Sequence, residues 1–353
     1  MTVLFIALLA MIFLTIRINL KGFNEDYLSP KSTLPIKGIF VALVFMSHLY
    51  GYTNFTFRTD LIVIKILELI SQLMVTMFLF YSGYGIFESI RRKGDSYLQS
   101  FPKKRILKTW FNFALAILLF MLMNLILKVR YPLRTNLAAF IGWEGIGNSS
   151  WYMFVILTLY IFTWLVFRKF SDDHRRALLV LTGVSVAYVL IFTYLRPSRF
   201  SNTYLCYVAG MWYAFCKFDI DRYLRERPLR YWLSLGVLAL VFVLLVSIFV
   251  TLYKGHLKDI APLAYNLLGM VFCLIVVLLT MKVRVSSRIL ALFGKYIFWI
   301  YILQRIPMKA FEVLNMNGKP YLFTLLCLIS CIILIPPVAY LSRLLNRLIW
   351  KEK

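Results

Sequence analysis

The chain has 353 residues, of which 61% are hydrophobic and 16% are charged, and its mean hydropathy is +0.78. Soluble domains have about a quarter charged residues, so this composition excludes an ordinary soluble protein and predicts a membrane protein. The net charge of +25 does not indicate nucleic-acid binding, because no basic stretch outside the apolar runs is long enough to form a domain.

Apolar runs long enough to cross a bilayer recur along the whole chain, since a helix needs about 20 residues to span about 30 Å of hydrocarbon. They lie at 2–20, 35–53, 62–89, 106–128, 150–167, 176–195, 201–216, 231–253, 260–281, 289–308 and 320–342. The predicted fold class is therefore all-α, a polytopic transmembrane bundle of about eleven helices. The short run at 201–216 suits a tilted, broken or re-entrant segment.

The first run, 2–20, predicts a retained helix. A signal peptide carries its positive charge before the apolar core, whereas here Arg17 and Lys21 follow the apolar core and nothing basic precedes it. Cations also crowd alternate connections, most densely at 91–108, and the C-terminal tail adds Lys351 and Lys353. The positive-inside rule then predicts an N-terminus outside and a C-terminus in the cytosol, in a multi-pass protein of the cytoplasmic membrane.

The second run contains two ionisable residues, Lys37 and His48, which are costly inside a membrane. They are eleven residues apart, about three helical turns, so they lie on nearly the same face with Cα atoms about 16 Å apart. A neutral imidazole can accept a proton from a hydroxyl, and a lysine at the helix end can hold an anion. A structural role is the alternative: His48 bonded within the core, and Lys37 extending to the interface.

The third run ends with small and hydrogen-bonding residues, Ser82, Gly83, Tyr84 and Gly85, which allow helices to approach closely. The basic connection that follows either anchors the protein or binds a phosphorylated cytosolic ligand. Its candidate phosphate-binding residues are Lys103, Lys104, Arg105 and Lys108.

Later runs add weaker candidates. Trp151 and Tyr152 begin a helix at the outer side, where aromatic residues are more often an interfacial belt than a sugar platform. Arg305, beside Gln304, is an intramembrane cation that could pair with a carboxylate or a ligand anion. The five cysteines show no metal-binding spacing, so we predict neither a metal site nor a tightly bound cofactor.

Four motifs occur in order: KGI at 37–39 with His48 after it, FYSGYGIF at 80–87 with its basic connection, SSWYM at 149–153, and LFGKYIFWIYILQ at 292–304. Together they resemble the membrane acyltransferase 3 family over about 34–345. The resemblance implies a ten-helix membrane domain at 31–353, preceded by an extra transmembrane helix and cytosolic linker at 1–30.

The resemblance also implies an activity: transfer of an acyl group, usually acetyl from acetyl-CoA, to carbohydrate at the outer side. His48 matches the essential family histidine, Lys37 its basic partner, and Lys103, Lys104, Arg105 and Lys108 the basic cluster. Ser82, Tyr84, Trp151, Gln304 and Arg305 are expected to support substrate binding. Lys37 replaces the usual arginine, and Gln304 stands where many relatives have histidine.

The working hypothesis is an acyl-CoA-dependent O-acyltransferase. Its expected partners are acyl-CoA, a carbohydrate or lipid-linked glycan acceptor and membrane lipid, without nucleic acid. In this scheme His48 acts as a general base or relays the acyl group. The alternatives are a transporter or flippase for polysaccharide or lipid-linked sugar, which fits the composition equally well, and a membrane module of a sensing or resistance system.

Overall fold

The computed structural model describes residues 1–70, 72–255 and 258–350, which are mostly helical. Ser71 within the predicted run 62–89, and the tail residues Lys351 and Lys353, lie outside the described residues. The helices are α1 Thr2–Phe13, α2 Pro30–Leu49, α3 Arg58–Ile70, α4 Leu73–Phe101, α5 Lys108–Ile126, α6 Leu133–Ala139, α7 Trp151–Lys169, α8 His174–Leu195, α9 Leu205–Glu226, α10 Pro228–Lys254, α11 Ala261–Lys282, α12 Arg288–Lys295, α13 Ile297–Leu303, α14 Arg305–Val313 and α15 Pro320–Trp350. Two short strands are β1 Ile16–Ile18 and β2 Val283–Val285.

The predicted all-α polytopic bundle is confirmed. In the described part of the chain, seven helical stretches are long and apolar enough to cross a membrane, and the bent pair α12–α14 makes an eighth if it counts as one span. One stretch, Leu73–Ile126, contains α4, α5 and the π-helix Pro102–Leu107 between them. No residue in the most apolar stretch of α10 is buried, so this helix presents apolar side chains outward, as a lipid-facing helix does.

The first predicted span is shorter in the structure. Helix α1 ends at Phe13 after 12 residues, about 18 Å, which is less than a bilayer requires. Residues 16–18 then form β1, which pairs antiparallel with β2 through Ile16 and Val285. Helix α1 is held at its start by Asp60 of α3, which accepts hydrogen bonds from the amide and hydroxyl of Thr2, both at 2.7 Å.

Two segments expected to be loops or short runs are helical instead. Helix α4 continues to Phe101 through most of the basic connection, and its interruption is a kink at Gly94, whose φ of 53° favours glycine. Most of the short run at 201–216 belongs to α9, which begins at Leu205 and extends to Glu226. The apolar run ends at residue 216, before the helix ends, because the residues that follow on the same helix include many charged ones.

Helix α2 carries both Lys37 and His48, and its start is fixed by a cap. The Ser29 hydroxyl accepts a hydrogen bond from the Ser32 amide at 3.1 Å, and Pro30 occupies the first turn, where a missing N–H costs nothing. The helix therefore begins at residue 30, five residues before the predicted run.

Close helix contacts through glycine hold this helix and α4 in place. A Cβ at Gly38 of α2 would overlap the carbonyl of Leu290 in α12, and a Cβ at Gly294 of α12 would overlap a carbonyl of α2. Helices α4 and α9 repeat the arrangement, since a Cβ at Gly83 would overlap the Tyr207 carbonyl. The expectation of close approach at 82–85 is thus confirmed at Gly83, whereas at Gly85 a Cβ would meet nothing within 4 Å.

The predicted helix at 289–308 is broken. Helix α12 and the following helices α13 and α14 meet at a bend of 69°. Gln304 lies between α13 and α14 and is completely buried, and its side chain reaches His48 of α2. The break therefore brings two candidate residues, distant in sequence, into contact.

Candidate functional site

Three cavities lie along the bundle, and we name them by their residues. The Lys37 cavity, of about 820 Å³, lies at the end of the bundle that carries the basic segment 91–108. The basic cavity, of about 330 Å³, adjoins it and is lined by Lys104, Arg105 and Lys108. The His48 cavity, of about 460 Å³, lies at the opposite end of α2.

Lys37 is half-buried in the wall of its cavity, with its ammonium 5.3 Å from the centre of the Tyr81 ring. No carboxylate of the described residues lies within ion-pair distance of it. The Tyr81 hydroxyl, on the same wall, is buried without a hydrogen-bond partner. Arg92 and Arg105 also line this cavity. The combination of free cation and free hydroxyl suits an anionic ligand that supplies acceptors.

The basic cavity is formed where α4 and the π-helix Pro102–Leu107 face each other. Arg105 lines both this cavity and the Lys37 cavity, and its Nε donates to the Tyr97 hydroxyl at 2.9 Å. Three of the four predicted phosphate-binding residues therefore line one concave surface. Lys103 does not, because its ammonium turns away to within 5.7 Å of the Trp350 ring.

His48 is held by neutral groups at both ring nitrogens. Nδ1 lies 3.0 Å from Nε2 of Gln304, which also donates to the Tyr301 carbonyl at 3.2 Å. Nε2 of His48 lies 3.4 Å from the Ser149 hydroxyl. The Gln304 amide oxygen is buried and has no partner. Rotating the amide would bring this oxygen to Nδ1, so Gln304 can select which ring nitrogen carries the proton.

Arg305 lies on the other side of Ser149. Its Nη1 donates to the Ser149 hydroxyl at 3.2 Å and to the Asn148 carbonyl at 3.4 Å. Its Nε donates to the Tyr52 hydroxyl at 2.9 Å. His48 and Arg305 thus share one hydroxyl and line the same cavity.

A layer of aromatic side chains separates this cavity from the Lys37 cavity. Tyr301 and Tyr152 both line the Lys37 cavity, and their rings are 5.1 Å apart. The Tyr301 ring is also 6.4 Å from the imidazole of His48. His48 therefore lines one cavity and is separated from the other by the ring of Tyr301.

Other predicted residues are only partly brought together. Tyr84 and Ser82 line the Lys37 cavity, where the Ser82 hydroxyl is 3.0 Å from that of Tyr160. Trp151 lines none of the three cavities and packs edge-on against Tyr152, with ring centres 5.8 Å apart. Lys37 and His48 share α2, as expected, but line different cavities.

Two residues in contact with His48 were not singled out from the sequence, Ser149 and Tyr301. Each lies within a motif that was noted, SSWYM and LFGKYIFWIYILQ. For Tyr301 the sequence did contain a signal. Tyr301 precedes Gln304 by three residues, about one helical turn, which places the two side chains on the same face of a helix.

Comparison with models of protein families matches residues 36–349 to the model described as an acyltransferase domain, acyltransferase 3. The match begins inside α2 and ends near the end of α15, so it includes every residue of the three cavities from Lys37 onward. Searches of curated proteins and of solved structures return no match.

Proposed function

The chain belongs to the acyltransferase 3 family, and from that premise we propose that it moves an acyl group from acyl-CoA in the Lys37 cavity to a carbohydrate hydroxyl in the His48 cavity. It is a membrane-bound acyltransferase with several membrane-spanning helices. The observation that carries the finer proposal is the position of His48 between the two cavities. We propose acetyl-CoA as the donor, a cell-surface or lipid-linked glycan as the acceptor, and the cytoplasmic membrane as the location.

The donor proposal is supported by the charges at one end of the bundle. Coenzyme A carries a diphosphate, a ribose phosphate and a flexible arm that ends in the thioester. The basic cavity offers Lys104, Arg105 and Lys108 for the phosphates, and it adjoins the larger Lys37 cavity at Arg105. An arm extending past Lys37 toward Tyr301 would bring the thioester to the aromatic layer beside His48.

The acceptor proposal is supported by the lining of the His48 cavity. Tyrosine rings and polar side chains line it, including Tyr52, Tyr131 and Lys309, and its volume of about 460 Å³ accommodates a sugar unit. Aromatic rings with polar edges suit a sugar, which has both apolar faces and hydroxyls.

The proposed reaction is a single displacement. The acceptor hydroxyl gives its proton to Nε2 of His48 as its oxygen bonds to the thioester carbonyl carbon. The tetrahedral intermediate then breaks its carbon–sulfur bond, and the thiolate takes the proton from His48. The products are an O-acyl sugar and free coenzyme A. The base form requires the proton on Nδ1, and the oxygen of the rotated Gln304 amide would accept the hydrogen bond from Nδ1.

The test uses isolated membranes, radiolabelled acetyl-CoA and the host glycan as acceptor. We expect transfer of label to glycan, and a loss of at least about 100-fold in His48→Ala, because general-base catalysis contributes about 10²- to 10⁴-fold. The control is His174→Ala, since His174 packs against Phe87 and lines none of the three cavities. Full activity of His48→Ala at equal expression would refute the role of His48. Glycan export without acyl-CoA would instead favour a transporter.

A further inference from the structure

The positive charge of Arg305 is not neutralised by the protein. Its three hydrogen-bond partners among the described residues, the Tyr52 hydroxyl, the Asn148 carbonyl and the Ser149 hydroxyl, are all neutral. In the described part of the chain, no carboxylate lies within ion-pair distance, and Nη2 has no protein acceptor. A guanidinium can donate from all three of its nitrogens, so Nη2 of Arg305 is left as the unused donor at this cavity.

The other charges of the His48 cavity cancel. Lys309 and Glu312 both line it, and they form an ion pair with each other at 2.7 Å. With His48 neutral, Arg305 is left as the uncompensated charge of the cavity. An anion entering this cavity would therefore meet a net positive charge rather than a balanced one.

The distance between Arg305 and His48 limits where such an anion can lie. Both contact the Ser149 hydroxyl, with His48 Nε2 at 3.4 Å and Arg305 Nη1 at 3.2 Å. Two groups separated by a single hydroxyl can contact two substituents of one sugar ring. One substituent would be the hydroxyl facing His48, and the other would face Arg305.

Catalysis itself favours an anion at this position. When His48 takes the acceptor proton, a second positive charge appears near Arg305, and the two repel. An anionic group on the acceptor, bound to Arg305, would offset that repulsion as it develops.

We propose that the acceptor sugar carries an anionic group, a carboxylate or a phosphate ester, on the ring whose hydroxyl is acylated, and that Arg305 binds this group. The inference rests on the proposed function, because it defines the acceptor class of the same site. Arg305 is then a binding residue that selects charged acceptors.

The test measures binding of matched probes to the purified full-length protein in detergent, without acyl-CoA. The probes are methyl β-D-glucuronide, methyl β-D-glucoside and methyl β-D-glucoside 6-phosphate. They differ only at C6, which carries a carboxylate, a neutral hydroxymethyl group or a phosphate ester. We expect at least one charged probe to bind roughly 10- to 100-fold more tightly than the neutral glucoside, as a charge-assisted pair would give. The better of the two charged probes identifies a carboxylate or a phosphate ester.

Arg305→Gln should remove this preference, and Arg305→Lys should keep part of it, because lysine retains the charge but loses the fork. The matched control is Arg134→Gln, an exposed arginine of α6 outside the three cavities. Equal affinity of wild type for charged and neutral probes, including no measurable binding of any of them, would overturn the inference. So would an Arg305→Gln protein that loses affinity for all probes equally, which would mean that Arg305 only supports the site.

A separate measurement distinguishes failure of the proposed function. The same probes are incubated with acetyl-CoA, and acetylated products are sought by mass spectrometry. Charge-selective binding through Arg305 without any transfer would support the anion site and contradict the acyltransfer proposed at His48. Transfer to charged and neutral probes with the same KM would support the acyltransfer proposed at His48 and contradict the anion site at Arg305.

Discussion

Replacing Gln304 with leucine tests whether this residue acts through His48. Of the two hydrogen bonds to the imidazole, the one from Gln304, at 3.0 Å, is shorter than the one with Ser149, at 3.4 Å. Gln304→Leu removes the shorter one and leaves the ring held by the weaker contact. The amide oxygen that would hold the proton on Nδ1 once the amide has rotated is lost as well, so a smaller fraction of molecules has Nε2 free to act as the base.

The expected effect is a fall in kcat of about 10- to 100-fold, by analogy with the loss of a residue that orients a metal-binding histidine. Stability should change by only about 1 kcal/mol. Losing the hydrogen bonds of the amide nitrogen destabilises the protein, but the buried amide oxygen without a partner is lost too, and that loss stabilises it.

The assay is acetyl transfer at varied concentrations of donor and acceptor, with thermal unfolding measured in parallel. A positioning role lowers kcat and leaves KM for both substrates nearly unchanged. Gln304→Glu should recover part of the activity lost in Gln304→Leu, because a carboxylate can accept a hydrogen bond from the protonated Nδ1. Gln99→Leu, at an exposed position of α4, is the control. An unchanged kcat in Gln304→Leu, or a loss explained wholly by unfolding, would refute the reasoning.

Two further changes test the donor end and the helix packing. Lys37→Gln should raise KM for acetyl-CoA about tenfold, because no carboxylate of the described residues pairs with Lys37 and a donor phosphate could take that place. Lys31→Gln, exposed on the same helix, should leave KM unchanged. An unchanged KM in Lys37→Gln would exclude contact with the donor. Gly38→Ala should destabilise the fold by about 1–3 kcal/mol, because the new methyl group would overlap the Leu290 backbone. The control is Gly183→Ala, where a methyl group would meet nothing nearby. The melting temperature of Gly38→Ala should be lower than that of the control.

The sequence predicted the class of fold and the helix that carries Lys37 and His48, because hydropathy and an eleven-residue spacing are local properties. Helix ends were less predictable. The Ser29 cap moved the start of α2 to Pro30, and α9 continued past its apolar run into charged residues. The bend between α12 and α13 has no signal in hydropathy, since both sides of it are apolar.

The candidate site was predictable only in part, for the same reason. Lys104 and Lys103 are equivalent in composition, yet one lines the basic cavity and the other lies over Trp350. The contacts of His48 with Ser149 and Gln304 depend on how three helices pack. Packing contacts between residues more than 100 positions apart cannot be inferred from the periodicity of any one segment.

Those separations also bear on how the protein is made. Strand β1 pairs with residues that are synthesised about 270 positions later, and Gly38 of α2 packs against Leu290. At about 5–20 residues per second, β1 and the α12-facing side of α2 wait roughly 15 to 50 s for their partners to emerge. During that interval the N-terminal helices must be kept apart from unrelated surfaces in the membrane. A chain stopped before α12 would contain His48 and Lys37 but none of the contacts that hold His48 to Gln304 and Tyr301.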